Sequence, residues 1–492
     1  MTCWLGIDCG GTFIKAGLFR EDGSEIAVAR RNLPVLSPQP GWAERDPETL
    51  WQTCAAVIRE AIATTDPATI AGIGISAQGK GLFTLDRDGA PLGNGILSSD
   101  QRALPVVKRW QAEGVPAALY PETRQTLWTG HPVSILRALK EQEPARYQRI
   151  GSILMSHDYL RYRLTGAIAC EETNISESNL YHFGEGRYQP SLADTLGIAE
   201  IVPALPPIVG ASAIAGYISA QAAAATGLRA GTPVVGGLFD VVSTALCAGL
   251  HDETMLNVVL GTWSVVTGFT DHIDDSQTIP FVYGKSATSG QYIVHEASPT
   301  SAANLEWITA LLGEHDYRAI NDSIAALPPA ASSVYFAPFL YGSNAGLGMQ
   351  AGLYGLQSFH GRAHIYQAVY EGVIYSLMHH LERMRQRFPA ARVLRVTGGP
   401  AKSVVWMQML ADISGNSVET PRIAETGCLG AALVAMVGTG AYPDCPAACA
   451  ALKPPLDSYR PNPALADAYA AKYRHYRELI AQLRAFNDTL HP

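Results

Sequence analysis

Residues 4–19, WLGIDCGGTFIKAGLF, read as an apolar run, a Gly-Gly-Thr break and a second apolar run, the pattern of two strands around a tight turn. Glu21-Asp22-Gly23-Ser24 predicts a further turn, with the next strand over 25–30. Residues 254–269, TMLNVVLGTWSVVTGF, repeat the strand, Gly-Thr turn, strand pattern, and Gly11-Thr12 and Gly261-Thr262 lie 250 residues apart, close to half the chain. Two copies of one architecture follow from that spacing. Elsewhere the apolar period predicts helices over 46–64, 102–113, 134–143, 238–249, 300–312, 364–387, 403–415, 427–437 and 464–486. It predicts strands over 70–76, 82–86, 94–97, 233–237, 292–295, 333–337 and 392–397. Strands interleaved with helices make an α/β protein. The last helix sets Leu465, Tyr469, Tyr473, Tyr476, Ile480 and Leu483 on one face, which predicts a helix docked on the body.

Composition narrows the class. The chain has 492 residues, 47% hydrophobic and 16% charged, which excludes disorder and leaves room for two large domains or three smaller ones. The charge sum, 36 − 44 = −8, repels phosphate backbones and weighs against nucleic acid as a partner. Three stretches lack charge: 201–228, 323–361 and 426–443. Proline and glycine interrupt the first two, and the third, ended by Pro443, reads as a buried helix, so no membrane span is expected. An acid follows the N-terminal apolar residues at once, so no signal peptide is expected. Eight cysteines lack zinc-ligand spacing, and reduced thiols in a cytoplasmic protein are the plain reading.

Chemistry concentrates at junctions. The Asp8-Cys9-Gly10-Gly11-Thr12 turn can close backbone N–H groups on an anion, and Asp8 can hold the hydration shell of Mg2+; an ordinary hairpin turn is the alternative. Strand, Gly398-Gly399 and helix can bring a backbone close to a nucleotide, although neither Walker A nor GxGxxG occurs; a plain strand–helix loop is the alternative. Asp240, between an apolar run and a helix, reads as an N-cap or a general base, and the two are compatible. Asp100 and Arg102 follow a strand end near Ser76-Ala77-Gln78-Gly79-Lys80-Gly81, where sugars bind in open α/β sheets; a solvated surface pair is the alternative. His131, His157, His364, His379 and His380 read as structural.

The ordered set of motifs resembles the FGGY family of carbohydrate kinases over essentially the whole chain. DCGGT with Lys15 resembles its first phosphate motif, GWAERDPETLW at 41–51 its GW-x-E-x-DP segment, and ILSSDQR at 96–102 its IxWxDxR strand end. SHDYLRYRLTG at 156–166, GGP at 398–400 and ETGCLGAALVAMVGTGAY at 425–442 resemble its later motifs, and the stretch from Ala351 to Glu371 its C-terminal signature. The resemblance implies two duplicated ribonuclease H-like (actin-like ATPase) domains with a cleft between them. It places a sugar-binding domain with the catalytic acid over 1–249, and an ATP-binding domain with a C-terminal docking helix over 250–492. It implies Asp240 as base, Asp8 and Asp240 toward Mg2+, and Gly11, Thr12, Lys15, Gly261, Thr262, Gly342, Gly398, Gly399 and Ser403 toward ATP. Gln78, Lys80, Asp100, Arg102 and Asp240 are implied for the sugar.

Within the family, GIGISAQGKGLF, TRQTLWTGHPVS, ISESNLY, GGLFDVVSTALCAG and PFLYGSNAG resemble the members acting on L-xylulose, including those acting on 3-keto-L-gulonate. The implied reaction is phosphorylation of the terminal hydroxyl of L-xylulose, with 3-keto-L-gulonate or another pentulose as alternatives. Gly79-Lys80 stands where relatives using D-xylulose carry Met-His, and the Arg-Glu of glycerol kinases is absent, which disfavours both substrates. Lys80 is expected to reach the carboxylate of a keto-sugar acid, or else to point to solvent or pair with Asp100. The expected partners are a small-molecule ketose and ATP, with a homodimer left open. An actin-like ATPase without sugar kinase activity is the rival class; it would not need Asp240, Gln78, Asp100 and Arg102.

Overall fold

The computed structural model describes residues 2–490 apart from 262, 277–279, 347, 424 and 453. It divides into two compact units. The first gathers Met1–Gly249, Thr270–Val294 and Ala424–Lys453. Its sheet is built from β1 (Cys3–Cys9), β2 (Phe13–Phe19), β3 (Glu25–Asn32), β4 (Ile70–Ala77), β5 (Ile214–Tyr217) and β6 (Pro233–Val235), in the order β5-β6-β4-β1-β2-β3; β7 (Leu238–Phe239) also pairs with β4. The apolar run at 3–9 is buried at every position except Asp8, as befits a central strand covered on both faces. β1 and β2 form the expected antiparallel hairpin, and β1 runs parallel to β4.

The charge-free stretch after 425 is the expected buried helix, Thr426–Gly438. It lies on this first sheet at a separation only glycine allows. A Cβ at Gly6 would stand 1.8 Å from the Cys428 carbonyl oxygen, and one at Gly74 1.9 Å from that of Ala431. The small residues of β1 and β4 thus let the helix backbone rest on the strands.

The second unit comprises Leu250–Phe269, His295–Ile423 and Pro454–Pro492. Its strands β8 (Met255–Leu260), β9 (Ser264–Thr270), β10 (Val393–Gly398), β11 (Ser417–Pro421) and β12 (Leu456–Tyr459) run in the order β9-β8-β10-β11-β12. As in the first sheet, a hairpin is followed by two parallel neighbours and an antiparallel edge strand. The duplication read from the two Gly-Thr turns is therefore a duplication of topology. The C-terminal helix Ala466–Leu490 docks within this unit. Tyr473 and Tyr476 approach Tyr375 with ring centroids 5.5 and 5.2 Å apart, while Ile480 and Leu483 pack on Ala337, Phe339 and Met349. Leu465, expected on the same face, ends a short 3-10 turn before the helix.

Among the helices that were not expected, which also include Ser156–Thr165, Ala220–Thr226 and Cys445–Leu452, are Val115–Thr123 and Tyr317–Ala325. The first contains Pro121 and has only Leu119 and Thr123 buried, so no clear stripe marks it; the second buries only Ile320 and Ile324. No helix among the described residues is long and apolar enough to cross a membrane.

Candidate functional site

The first turn takes its shape from a buried arginine. Gly10 N–H donates to the Phe13 carbonyl oxygen at 3.0 Å, which leaves Gly11 and Thr12 at an exposed tip. Arg45, 1% exposed, donates to the carbonyl oxygens of Gly11 at 2.6 Å and Gly10 at 3.4 Å. Binding those carbonyls on the inner side fixes the peptide planes of a turn suited to an anion. Asp8 and Lys15 are direct cross-strand partners. Lys15 Nζ donates to Glu425 Oε2 at 2.6 Å, both side chains about a fifth exposed. The Asp8 carboxylate lies over the start of the Thr426–Gly438 helix, where a Cβ on Gly427 would come within 2.4–2.7 Å of it.

Asp240 is the first residue of the helix Asp240–Cys247, and Phe239 occupies the N-cap without a side-chain bond. The N-cap reading is thus corrected: the carboxylate faces the helix N-terminus as a charge rather than as a cap. Its side chain is partly exposed, so a ligand can reach it. Burial, then the neighbouring Asp8 charge, pushes its pKa up to about 7 against the opposing pull of Lys80, the Val241 N–H and His157. Asp8, also partly exposed, rises to about 6 through burial, with Lys15 opposing and Glu425 adding to the rise. Two acids in mutual repulsion, each reachable from solvent, make a site that welcomes a proton or a cation.

Gln78 belongs to the same neighbourhood. Its backbone N–H donates to the Cys9 carbonyl oxygen at 3.1 Å, and its Oε1 would lie 3.6 Å from a Cβ on Gly11. Its Nε2 is buried without a partner among the described residues. Lys80 departs from both of its expected alternatives. It neither points to solvent nor pairs with Asp100; its ammonium pairs with the buried Glu177. Asp100 and Arg102 are not a solvated pair either. Asp100 is 0% exposed and accepts from the Arg102 guanidinium at 2.9 and 3.0 Å and from Ala43 N–H at 2.7 Å. Arg102 also reaches Glu44 at 2.5 Å and stacks over Trp42 at 3.8 Å. The pair thus braces the 42–45 segment that carries Arg45, its polar atoms turned to protein partners.

Sequence reasoning missed four contributors: Arg45, Glu177, Asn174 and Glu425. Arg45, Glu177 and Glu425 stood only inside motifs of resemblance and Asn174 in none, because each acts through a partner 34 or more residues away. His157 is buried beside Asp158 and Glu171, at 3.4 and 3.5 Å, and adds to the field at Asp240.

In the second unit Gly261 N–H donates to the Trp263 carbonyl oxygen at 3.0 Å, while Thr262 lies outside the described residues. Leu260 is the strand partner of Gly398, whose φ of 101° suits glycine and where a Cβ would stand 2.0 Å from the Leu260 carbonyl oxygen. The Ser403 hydroxyl caps the helix Val404–Ser414 through Trp406 N–H at 3.1 Å and donates to Asn321 Oδ1 at 2.6 Å. Gly342 has a φ of 136° and sits against Pro299.

The duplicated α/β fold thus carries two neighbouring carboxylates, Asp8 and Asp240, and a glycine turn next to Asp8. The chain belongs to the FGGY family of carbohydrate kinases: residues 3–247 match the N-terminal domain and 256–439 the C-terminal domain of that family. It is a sugar phosphotransferase that draws on ATP. It is 62% identical over 487 residues to a probable L-xylulose kinase of Pasteurella multocida strain Pm70, covering 99% of this chain and 100% of that one. It is 58% identical over 486 residues to the L-xylulose/3-keto-L-gulonate kinase of Escherichia coli strain K12, covering 98% of each. Among solved structures, xylulose kinase from Rhodospirillum rubrum superposes with a TM-score of 0.88 at 27% identity, over 99% of this chain and 100% of that one.

Proposed function

We propose that this kinase phosphorylates the terminal hydroxyl of L-xylulose, giving L-xylulose 5-phosphate and ADP. The observation that carries the chemistry is Asp240: a reachable carboxylate at a helix start, raised to about 7, suits a general base working near neutrality. The substrate comes from the 62% and 58% identical relatives, whose names give L-xylulose. The second of those names adds 3-keto-L-gulonate, which stands as the alternative substrate.

In this reading Asp240 takes the proton as the sugar oxygen attacks the γ-phosphorus. Gly11 and Thr12 offer donors to phosphoryl oxygens, and Arg45 holds their turn. Lys15 contributes its charge from the Glu425 pair. Phosphoryl transfer needs positioning and charge stabilisation above all. Residues 1–249 carry the sugar and the base. Residues 250–492 carry the nucleotide through Gly261, Thr262, Gly342, Gly398, Gly399 and Ser403.

Mg2+ fits the donor set. Asp8 and Asp240 are oxygen ligands, repel one another and remain partly exposed, which leaves room for the waters Mg2+ retains. Asp8 would hold it, with Asp240 alongside, and when bound it supplies neutralisation of the polyphosphate charge. Free thiols, seven of the eight buried, suit a cytoplasmic enzyme. The test is ADP release with L-xylulose, 3-keto-L-gulonate, D-xylulose, ribulose and glycerol. The proposal requires the highest kcat/KM on L-xylulose; a higher value on any other acceptor overturns it.

A further inference from the structure

The loop after β4 is shaped to press one lysine against the residue preceding the base. Lys80 has a φ of 61°, the left-handed region that a side chain rarely adopts. Its flanking glycines explain how the loop closes. A Cβ on Gly79 would come within 2.3 Å of the Phe239 ring, and one on Gly81 within 2.8 Å of the Ile96 carbonyl oxygen. The result places Lys80 Nζ 4.6 Å from the centroid of Phe239, immediately before Asp240.

At that point the ammonium is already compensated. It pairs with Glu177, the two side chains being 8% and 0% exposed. A Cβ on Gly284 would stand 2.3 Å from Glu177 Oε1, so the carboxylate is closed in from that side. Asn174, 0% exposed, accepts the Lys80 N–H through Oδ1 at 3.0 Å. Its Nδ2 is buried with no hydrogen-bond partner among the described residues. Thr173, next to Asn174, accepts the Phe239 N–H at 2.9 Å, which ties the segment to the base.

We propose that Glu177 is a specificity-determining residue of the sugar site: it neutralises Lys80 beside Phe239-Asp240, so this wall accepts a neutral polyhydroxylated ketose and disfavours a keto-sugar acid. The inference rests on the sugar kinase reading above and refines its substrate class. A substrate carboxylate at Lys80 has to share one ammonium with Glu177 in a desolvated place, where like charges repel strongly. A hydroxyl asks only for a donor or an acceptor, and the paired ammonium still offers a donor.

The experiment measures kcat and KM for L-xylulose and for 3-keto-L-gulonate, at saturating ATP, in the wild type, Glu177→Gln and Lys80→Met. Glu177→Gln leaves a buried cation that seeks an anion. The acid-to-neutral ratio of kcat/KM is expected to rise about tenfold or more, through KM rather than kcat. Lys80→Met leaves a buried anion, and the ratio is expected to fall by a similar factor. If one variant fails to fold, the other still reads the sign. A ratio within about threefold of wild type in the variants that fold, with both substrates losing equally, makes the pair a structural brace and overturns the inference. A wild type that uses neither substrate refutes the parent reading and takes this one with it.

Discussion

Asp240→Asn separates catalysis from stability, because the structure assigns the carboxylate a penalty as well as a role. Its pKa rises from an ordinary 3.8 to about 7, mainly through burial. A carboxyl raised on folding favours the protonated folded state. Its ionisation therefore costs stability progressively as pH climbs from about 4 to about 7, and fully above that. At 1.36 kcal/mol per pH unit the rise sets an upper bound of roughly 4 kcal/mol. The side chain is partly exposed, so half of that or less is realistic, and the favourable charge at the helix start returns about 0.5 kcal/mol. Asn keeps the shape and drops the charge, for a net gain of roughly 1 kcal/mol at pH 8, or a Tm rise of ~1–2 °C in a unit of this size. Thermal melts of the ligand-free protein at pH 5, 6, 7 and 8 should show the variant's advantage growing to pH 7 and then levelling. Turnover should fall about 10²–10⁴-fold, as for loss of a positioned base. A variant with near-normal turnover refutes the role, and one whose Tm difference ignores pH refutes the electrostatics.

Gly427→Ala places a methyl within 2.7 Å of the Asp8 carboxylate, so kcat/KM should fall about tenfold or more with a cost of ~1–3 kcal/mol from overpacking; steady-state kinetics and thermal melts read both, and unchanged kinetics would free Asp8 from that position. Arg45→Met strips the Gly10 and Gly11 carbonyls of their donor, and KM for ATP should rise about tenfold at nearly constant KM for the sugar; equal changes in both would reduce Arg45 to a packing residue. Lys472→Met leaves Glu371, 1% exposed, without its cation inside the second unit. Glu371 is already raised by burial to about 7, so it escapes by protonation at low pH. The loss should approach ~3–5 kcal/mol at pH 8 and be smaller at pH 6, and a loss independent of pH would contradict the pairing.

The strands and their duplication were legible because apolar runs broken by Gly-Thr turns depend on local chemistry. Asp8, Gly11, Gln78 and Asp240 were legible as junction residues, since sheet ends place such groups together. What the chain order hid was partnership. The helix Thr426–Gly438 returns to a sheet begun at residue 3, and its seat depends on Gly6 and Gly74, which looked like ordinary strand residues. Asp100 and Arg102 read as sugar-site groups or a solvated pair because nothing local shows that Glu44 and Trp42 enclose them. Lys80 read as a cation for a substrate carboxylate, for solvent or for Asp100 because Glu177, its counter-charge, stands 97 residues away.

The most direct measurement is ADP release by the wild-type enzyme with MgATP and L-xylulose, with the sugar product identified by mass and NMR. Release should require the ketose, saturate with it, and yield one L-xylulose 5-phosphate per ADP. Release that proceeds at the same rate without any ketose, or no phosphate on the terminal carbon, would contradict the proposed function.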